Sequence, residues 1–447
     1  MKRARTFMPA VAAAVAVALA AGGASADEPK RALPDYDGRG GEPTTPGDVA
    51  LWIPRVLVSP IYFVTEYLLR RPIGALIAGA ERANVPEYLY DLFFFGPEHK
   101  VGVIPTAFID FGFNPSVGLY AFWDDALVKG HDLRLTASIW TSDWVAGSLT
   151  ERLPIHGKES LTLRLSGVRR PDYTFFGLGP NSLQGNIARY GQDRLEASAL
   201  FDFPLWRASR VSAGMGVRSV NIYHGHFGGD ASVENQAAAG VYPLPYGFGR
   251  GYTEEYNHLL LAFDTRQPRP ATSSGVRVEV ETEQGSDVRR TPDGGWVRWG
   301  GTAGGFWDIG GHNRVVSLSA TARFADPLGN SPIPFPELVN LGGSGPMRGF
   351  FPGRLVDRSA AVATLHYRWP IWAWLDGSLQ GAVGNVFGEH LQDFTPGLLR
   401  FSGALGFESV GSPDSSFEFL VGLGSETFDH GGQLDSVRIV FGTNRGF

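Results

Sequence analysis

The chain has 447 residues, a formal net charge of −6 at pH 7 and no cysteine. The missing cysteine excludes disulfides and thiolate metal sites. Mild acidity without a basic stripe excludes a nucleic-acid partner.

Lys2, Arg3 and Arg5 open the chain, an apolar run follows from Phe7 to Ala21, and Ala24-Ser25-Ala26 precedes Asp27. This is the layout of a secretory signal peptide over residues 1–26, and its apolar run is short for a membrane-crossing helix. Residues 27–48 are polar and rich in Pro, Gly and Asp, a flexible lead. Between 49 and 90 two short amphipathic helices are expected. The first covers 55–70, with Pro54 at its edge and Pro60 as a kink, and the second runs from Pro72 to Ala83. They suit the membrane surface, the barrel mouth or the lumen equally. Tyr88, Tyr90, Phe93, Phe94 and Phe95 then form an aromatic cluster.

From residue 101 the period becomes two. Leu161, Leu163 and Leu165 share one face, as do Phe417, Phe419, Val421 and Leu423, with Glu418, Gly422 and Gly424 opposite. Sixteen strands are expected, at 101–112, 115–125, 131–140, 143–152, 158–168, 190–203, 207–222, 254–267, 272–283, 293–304, 311–323, 359–369, 374–384, 397–408, 415–424 and 434–447. Each is about the length of a tilted strand crossing hydrocarbon. Unpaired amides in lipid cost several kcal/mol each, so such strands must close into a barrel. The fold class is therefore an all-β transmembrane, closed antiparallel β-barrel of about 16 strands spanning 101–447, preceded by short N-terminal helices. Short connections at 113–114, 141–142 and 409–414 are placed on one rim, and long ones at 169–189, 223–253 and 324–358 on the outer rim. Tyr367, Trp369, Trp372 and Trp374 are placed at headgroup level. A soluble sandwich also alternates, but it does not call for a leader, outward aromatics and a terminal aromatic strand together.

Residues 341–353 read Leu-Gly-Gly-Ser-Gly-Pro-Met-Arg-Gly-Phe-Phe-Pro-Gly. Gly342 and Gly343 permit tight turning. Met347, Phe350 and Phe351 beside Arg348 point to a tip that folds inward and packs, with Arg348 held on a lumen carboxylate by its planar fork. A phosphate-cradling loop is the poorer reading, because its lysine and its strand-loop-helix setting are missing.

Met347-Arg348-Gly349-Phe350 resembles the Val-Arg-Gly-Phe loop motif of the bacterial surface antigen superfamily, the BamA/TamA-like outer-membrane proteins. Gly384-Asn385-Val386 and the closing strand to Phe447 continue the resemblance over residues 100–447. It implies residence in the bacterial outer membrane, contact with outer-membrane lipid and lipopolysaccharide, and a lateral seam between the first and last strands. It also implies that Phe447 is a signal read by the barrel-assembly machinery. Where the family often carries an aspartate this chain has Ala382, so Glu408 and Glu418 are the candidate partners of Arg348. Residues 27–100 lack the strand-helix-helix-strand-strand pattern of the family's POTRA domains. The functional expectation is protein or lipid insertion or translocation by a monomer with an unknown client. The alternative is a passive pore or structural barrel narrowed by 324–358. No enzyme, cofactor or metal site is expected. His224, His226, Asp230, His312 and His366 show no spacing that defends a triad or a three-ligand set.

Overall fold

The computed structural model describes residues 92–267, 274–289, 294–309, 313–372, 375–410 and 416–444, with Gly79 and Tyr88. The expected leader, the two helices at 49–90, His312, Trp374 and Phe447 lie outside the described residues.

Sixteen strands pair antiparallel with their sequence neighbours. They are β1 (Val101–Asp110), β2 (Ser116–Trp123), β3 (Asp132–Thr141), β4 (Trp144–Pro154), β5 (Ser160–Phe175), β6 (Ala188–Pro204), β7 (Arg210–His224) and β8 (Tyr252–Asp264). There follow β9 (Gly275–Asp287), β10 (Gly295–Asp308), β11 (Val315–Pro327), β12 (Ser359–Trp372), β13 (Leu375–Phe387), β14 (Arg400–Ser409), β15 (Ser416–Ser425) and β16 (Leu434–Asn444). β16 returns to β1 through Val440↔Asp110, Phe441↔Ile109 and Gly442↔Phe108, which closes the barrel. Every segment expected as a strand holds one. No described helix is long and apolar enough to cross a membrane.

Two expectations are corrected. Strands β5, β7 and β11 run on to Phe175, His224 and Pro327, past the points where loops were expected. The backbone ladder continues through pairs such as Tyr173↔Tyr190 and Tyr190↔His224. Beyond the hydrocarbon a strand need not alternate apolar with polar, so the pattern fades before the pairing does. The rims also differ. Up-and-down order places 111–115 and 142–143 on the same rim as the long connections 176–187, 225–251 and 328–358, and 410–415 on the opposite rim. Turn chemistry sets a connection's length, and only parity sets its rim.

The two faces are inverted relative to a soluble barrel. Leu119, Leu149, Leu165, Val217, Val280 and Leu365 are exposed outward, while Arg218, Glu254, Thr364 and Ser378 are buried inward. Exposed apolar rows of this extent mark a surface solvated by lipid. Ring pairs mark its edges, with Trp206 stacked on Phe263 at 6.1 Å and Trp299 on Phe324 at 4.4 Å. Tyr367 stacks on Trp369, and Trp369 is buried against Ile371 and Leu375 rather than lying open on the girdle.

Placing a charge in the belt tests this arrangement. Leu165→Arg should lower the stability of the folded barrel by about 2–4 kcal/mol. Urea titration read by heat-modified gel mobility checks it, and an unchanged midpoint contradicts a lipid-facing Leu165.

Candidate functional site

The connection 328–358 folds into the lumen. After Pro327 it turns through Phe335–Glu337 and forms a two-strand ribbon, Val339–Asn340 against Val356–Asp357. The ribbon carries tip residues 341–355 to the inner face of β14, β15 and β16. Leu341, Met347, Phe350 and Leu355 are covered almost completely. Burial contributes roughly 1.5–3 kcal/mol per such side chain, which holds the tip inside rather than in water.

The wall has room because its inward positions are small. Gly349 donates its N–H to Ser402 Oγ at 2.9 Å, and Ser436 Oγ donates to the Gly349 carbonyl at 3.0 Å. A Cβ on Gly349 would lie 2.0 Å from the Leu423 carbonyl oxygen, and one on Gly422 would lie 2.8 Å from Gly349 Cα. The two backbones touch, and no side chain fits between them. Phe350 fills the space above Gly424. Gly342 and Gly343 turn beneath Phe351 and Pro352, and the Gly343 N–H reaches the Phe350 carbonyl at 2.9 Å.

Glu408 and Glu418 are direct cross-strand partners, so both carboxylates project inward side by side. Arg348 donates to Glu418. Glu408 lies 4.0 Å from Arg368. Burial pushes the Arg348 guanidinium below its ordinary value, and Glu408 opposes that shift. Ala382, where an aspartate was sought, is buried in the apolar core and offers no charge.

Sequence reasoning missed the clasp beside the motif. Arg438 on β16 pairs with Asp110 on β1 at 2.8 Å and donates to the Gly343 carbonyl at 2.7 Å. One guanidinium thus ties the first strand, the last strand and the loop. Arg438 and Asp110 are both buried, so removing either leaves an uncompensated charge. A signal existed: Arg438 falls on the inward side of an apolar strand, as do Gly422 and Gly424 on theirs.

The root of the loop has its own anchor. Glu337 lies 3.0 Å from Arg298 and 3.3 Å from Arg218, and accepts the Tyr252 hydroxyl. Arg218 also reaches Glu254 at 2.6 Å. This cluster borders a lumen cavity of about 350 Å³. Burial alone would raise the Glu337 carboxyl, but Arg298 and Arg218 outweigh it and hold the group below the ordinary carboxylate range.

At the long-loop rim, Asn385 of the Gly-Asn-Val run donates to the Pro180 and Leu398 carbonyls at 3.1 and 2.6 Å. Arg400 donates to Glu426 at 2.8 Å and to the Ser182 carbonyl at 2.8 Å, while Arg354 donates to Ser182 Oγ at 2.7 Å. Burial, with Arg400 adding to it, pushes the Arg354 guanidinium down to about 10. These bonds tie three long-rim connections to the loop.

Among the described residues, the expected histidines do not converge. His224 lies 3.3 Å from Glu234, His226 3.2 Å from Asp143, and His366 2.8 Å from Ser378, while Asp230 holds Arg189. Asp326, Glu389 and His390 do come together at the rim, but Arg358 bridges both carboxylates, at 3.3 and 3.0 Å. An arginine on both acids makes this an ion-pair cluster.

Residues 129–393 match the family model described as the Omp85 superfamily domain, more than half of the chain. Among solved structures, BamA from Haemophilus ducreyi lacking POTRA domains 1–3 superposes with a TM-score of 0.53 at 15% identity, over 77% of this chain and 70% of that one. CdiB from Acinetobacter baumannii gives 0.47 at 12% identity, over 77% of this chain and 60% of that one. CdiB from Escherichia coli gives 0.47 at 14%, over 76% and 62%. The likeness to BamA bears on the fold alone. Among curated proteins, no sequence matches this chain.

Two predictions follow from the loop's anchors. Arg348→Ala should cost about 2–5 kcal/mol and open 328–358 to protease, with the strands still protected. Glu418→Gln should reproduce the effect and Glu408→Gln should not; equal protection in all three contradicts the seating. The Glu337 anchor should also depend on acidity. A carboxyl whose folded value is depressed supports the fold fully above its unfolded value near 4.5 and loses that support as pH falls through the folded value. Protease access to 328–338 should therefore rise below about pH 4.5, and Glu337→Gln should give the same access at neutral pH.

Proposed function

The chain belongs to the Omp85 superfamily and is a protein of the bacterial outer membrane, and on that premise we propose that it passes protein or lipid into or across that membrane through a lateral seam. The observation that carries this reading is the inequality of the sheet's joints. Among the described residues, neighbouring strands such as β5 and β6 register over 14 residue pairs, whereas β1 and β16 register over three. A short joint is the cheapest place to open a closed sheet, and its freed edges can template an incoming extended segment. The Arg438–Asp110 pair and the seated loop brace that joint from within, so the loop's role is to hold the seam in register. The family likeness supports the same reading.

Lipopolysaccharide, other outer-membrane lipid and an unfolded protein client are the partners this reading proposes, with the barrel-assembly machinery acting during biogenesis. A monomer suffices, because one chain supplies both edges. No enzyme activity enters the proposal. The alternative of a narrowed pore is separated by single-channel recording, since a plugged pore should conduct more once Arg348→Ala frees the loop.

The test of the seam is a reversible lock. Ile109→Cys with Phe441→Cys joins directly opposed residues of β1 and β16. The protein in phospholipid vesicles is offered an unfolded eight-strand barrel precursor, and folding is read by heat-modified mobility. Oxidation should reduce insertion about tenfold, a change of ~1.4 kcal/mol in barrier, and reductant should restore it. Equal insertion with the lock closed counts against the proposal.

A further inference from the structure

The seam-facing edge of β1 carries two occupants. β16 registers with Phe108, Ile109 and Asp110. At the other end of the same strand, Phe94–Phe95 pairs antiparallel, Phe94 opposite Gly102 and Phe95 opposite Val101. β2 already pairs with Val101 and Gly102 on the other side, so Phe94–Phe95 lies on the seam side. Between the two occupants, no described residue registers with Val103–Ala107 on that side. Pro105 lies in this interval and has no N–H to offer to a strand on that side.

The short strand is held by more than its two pairs. Phe94 is buried, packs with Ile104 and Tyr120, and lies 5.4 Å from Phe122 between ring centres. The hairpin back to β1 turns at Gly96, whose φ is +83°, and closes with the His99 N–H on the Gly96 carbonyl at 3.2 Å. Lys100 reaches Asp125 at 3.1 Å, and the Asp124 N–H reaches the Lys100 carbonyl at 2.7 Å, which fixes the hairpin to the β2–β3 turn. Phe95, by contrast, remains half exposed.

We propose that Phe94–Phe95 is an autoinhibitory latch: the chain's own strand occupies the short-turn-rim end of the β1 edge and must peel away before another extended segment can pair along Val101–Ala107. This rests on the seam reading above and names its regulation. The latch is built to release. Backbone pairing at two positions, the buried Phe94 ring and the hairpin turn hold it, and no disulfide fixes it to the barrel.

The full-length protein is tested in phosphatidylethanolamine–phosphatidylglycerol vesicles with a photoreactive benzoylphenylalanine at Thr106. The probe is a synthetic peptide with the sequence of residues 116–123, a strand that registers antiparallel with Val101–Phe108. Phe94→Ala with Phe95→Pro, which removes the ring anchor and a pairing N–H, should raise peptide cross-linking about tenfold. Phe95→Cys with Val101→Cys should form a disulfide, suppress cross-linking when oxidised, and regain it with reductant. Heat-modified mobility confirms that each variant is folded. Cross-linking that is equal in the loosened, locked and parent proteins overturns the latch, as does failure of the disulfide to form in the folded barrel. Peptide capture needs no insertion activity, so a negative result here falls on the latch alone. Loss of the insertion result falls on the proposed function alone.

Discussion

Backbone amides in hydrocarbon have no solvent to bond, and this constraint organises the whole molecule. It makes the strands long, pairs each with both neighbours, and brings the last strand back to the first. It also explains why the apolar side chains lie outside and why arginines and glutamates fill the interior. Among the described residues, the joint between β1 and β16 is where the constraint is met most thinly, with three registered pairs. Side chains brace that joint where backbone pairing is short.

The inward loop is the main brace. Its glycines allow main chain to lie on main chain at Gly349 and Gly422, and its apolar side chains supply the burial that keeps it there. Its charges then set register. Arg348 meets Glu418, Glu337 meets Arg298 and Arg218, and Arg438 joins the loop's carbonyls to both edges of the joint. Buried charges of this kind contribute little net stability but are costly to mismatch, so they favour one seating over its neighbours.

Much of this was legible in the residues. Period-two segments located all sixteen strands, because lipid outside and charge inside force alternation that propensity alone would not. The Arg348 loop stood out because Met, Phe and Arg together are unsuited to a solvated tip, while alternation placed both Glu408 and Glu418 on the lumen face without choosing between them. What stayed hidden depends on pairs distant in sequence. Arg438 and Asp110 are separated by 328 positions, and nothing local to either announces the other. Glu337 gave no signal because a single acid near a Pro-rich turn reads as a surface residue. Strand ends beyond the lipid were misjudged for the reason the middles were clear: once water can solvate the amides, alternation is no longer enforced.

The loop's threading has a kinetic corollary. Residues 341–355 reach the inner wall from a connection between β11 and β12, yet they are clamped by strands made later in the chain, one of which is itself tied to the first strand through Arg438 and Asp110. Most hairpins here are neighbours in sequence and can zip locally, but the clamp links chain segments of maximal contact order. The tip's bonds to Ser436 and Arg438 can form only once β16 is in place. The strand that completes the circumference therefore also completes the loop's seat, which couples closure of the wall to docking of the plug.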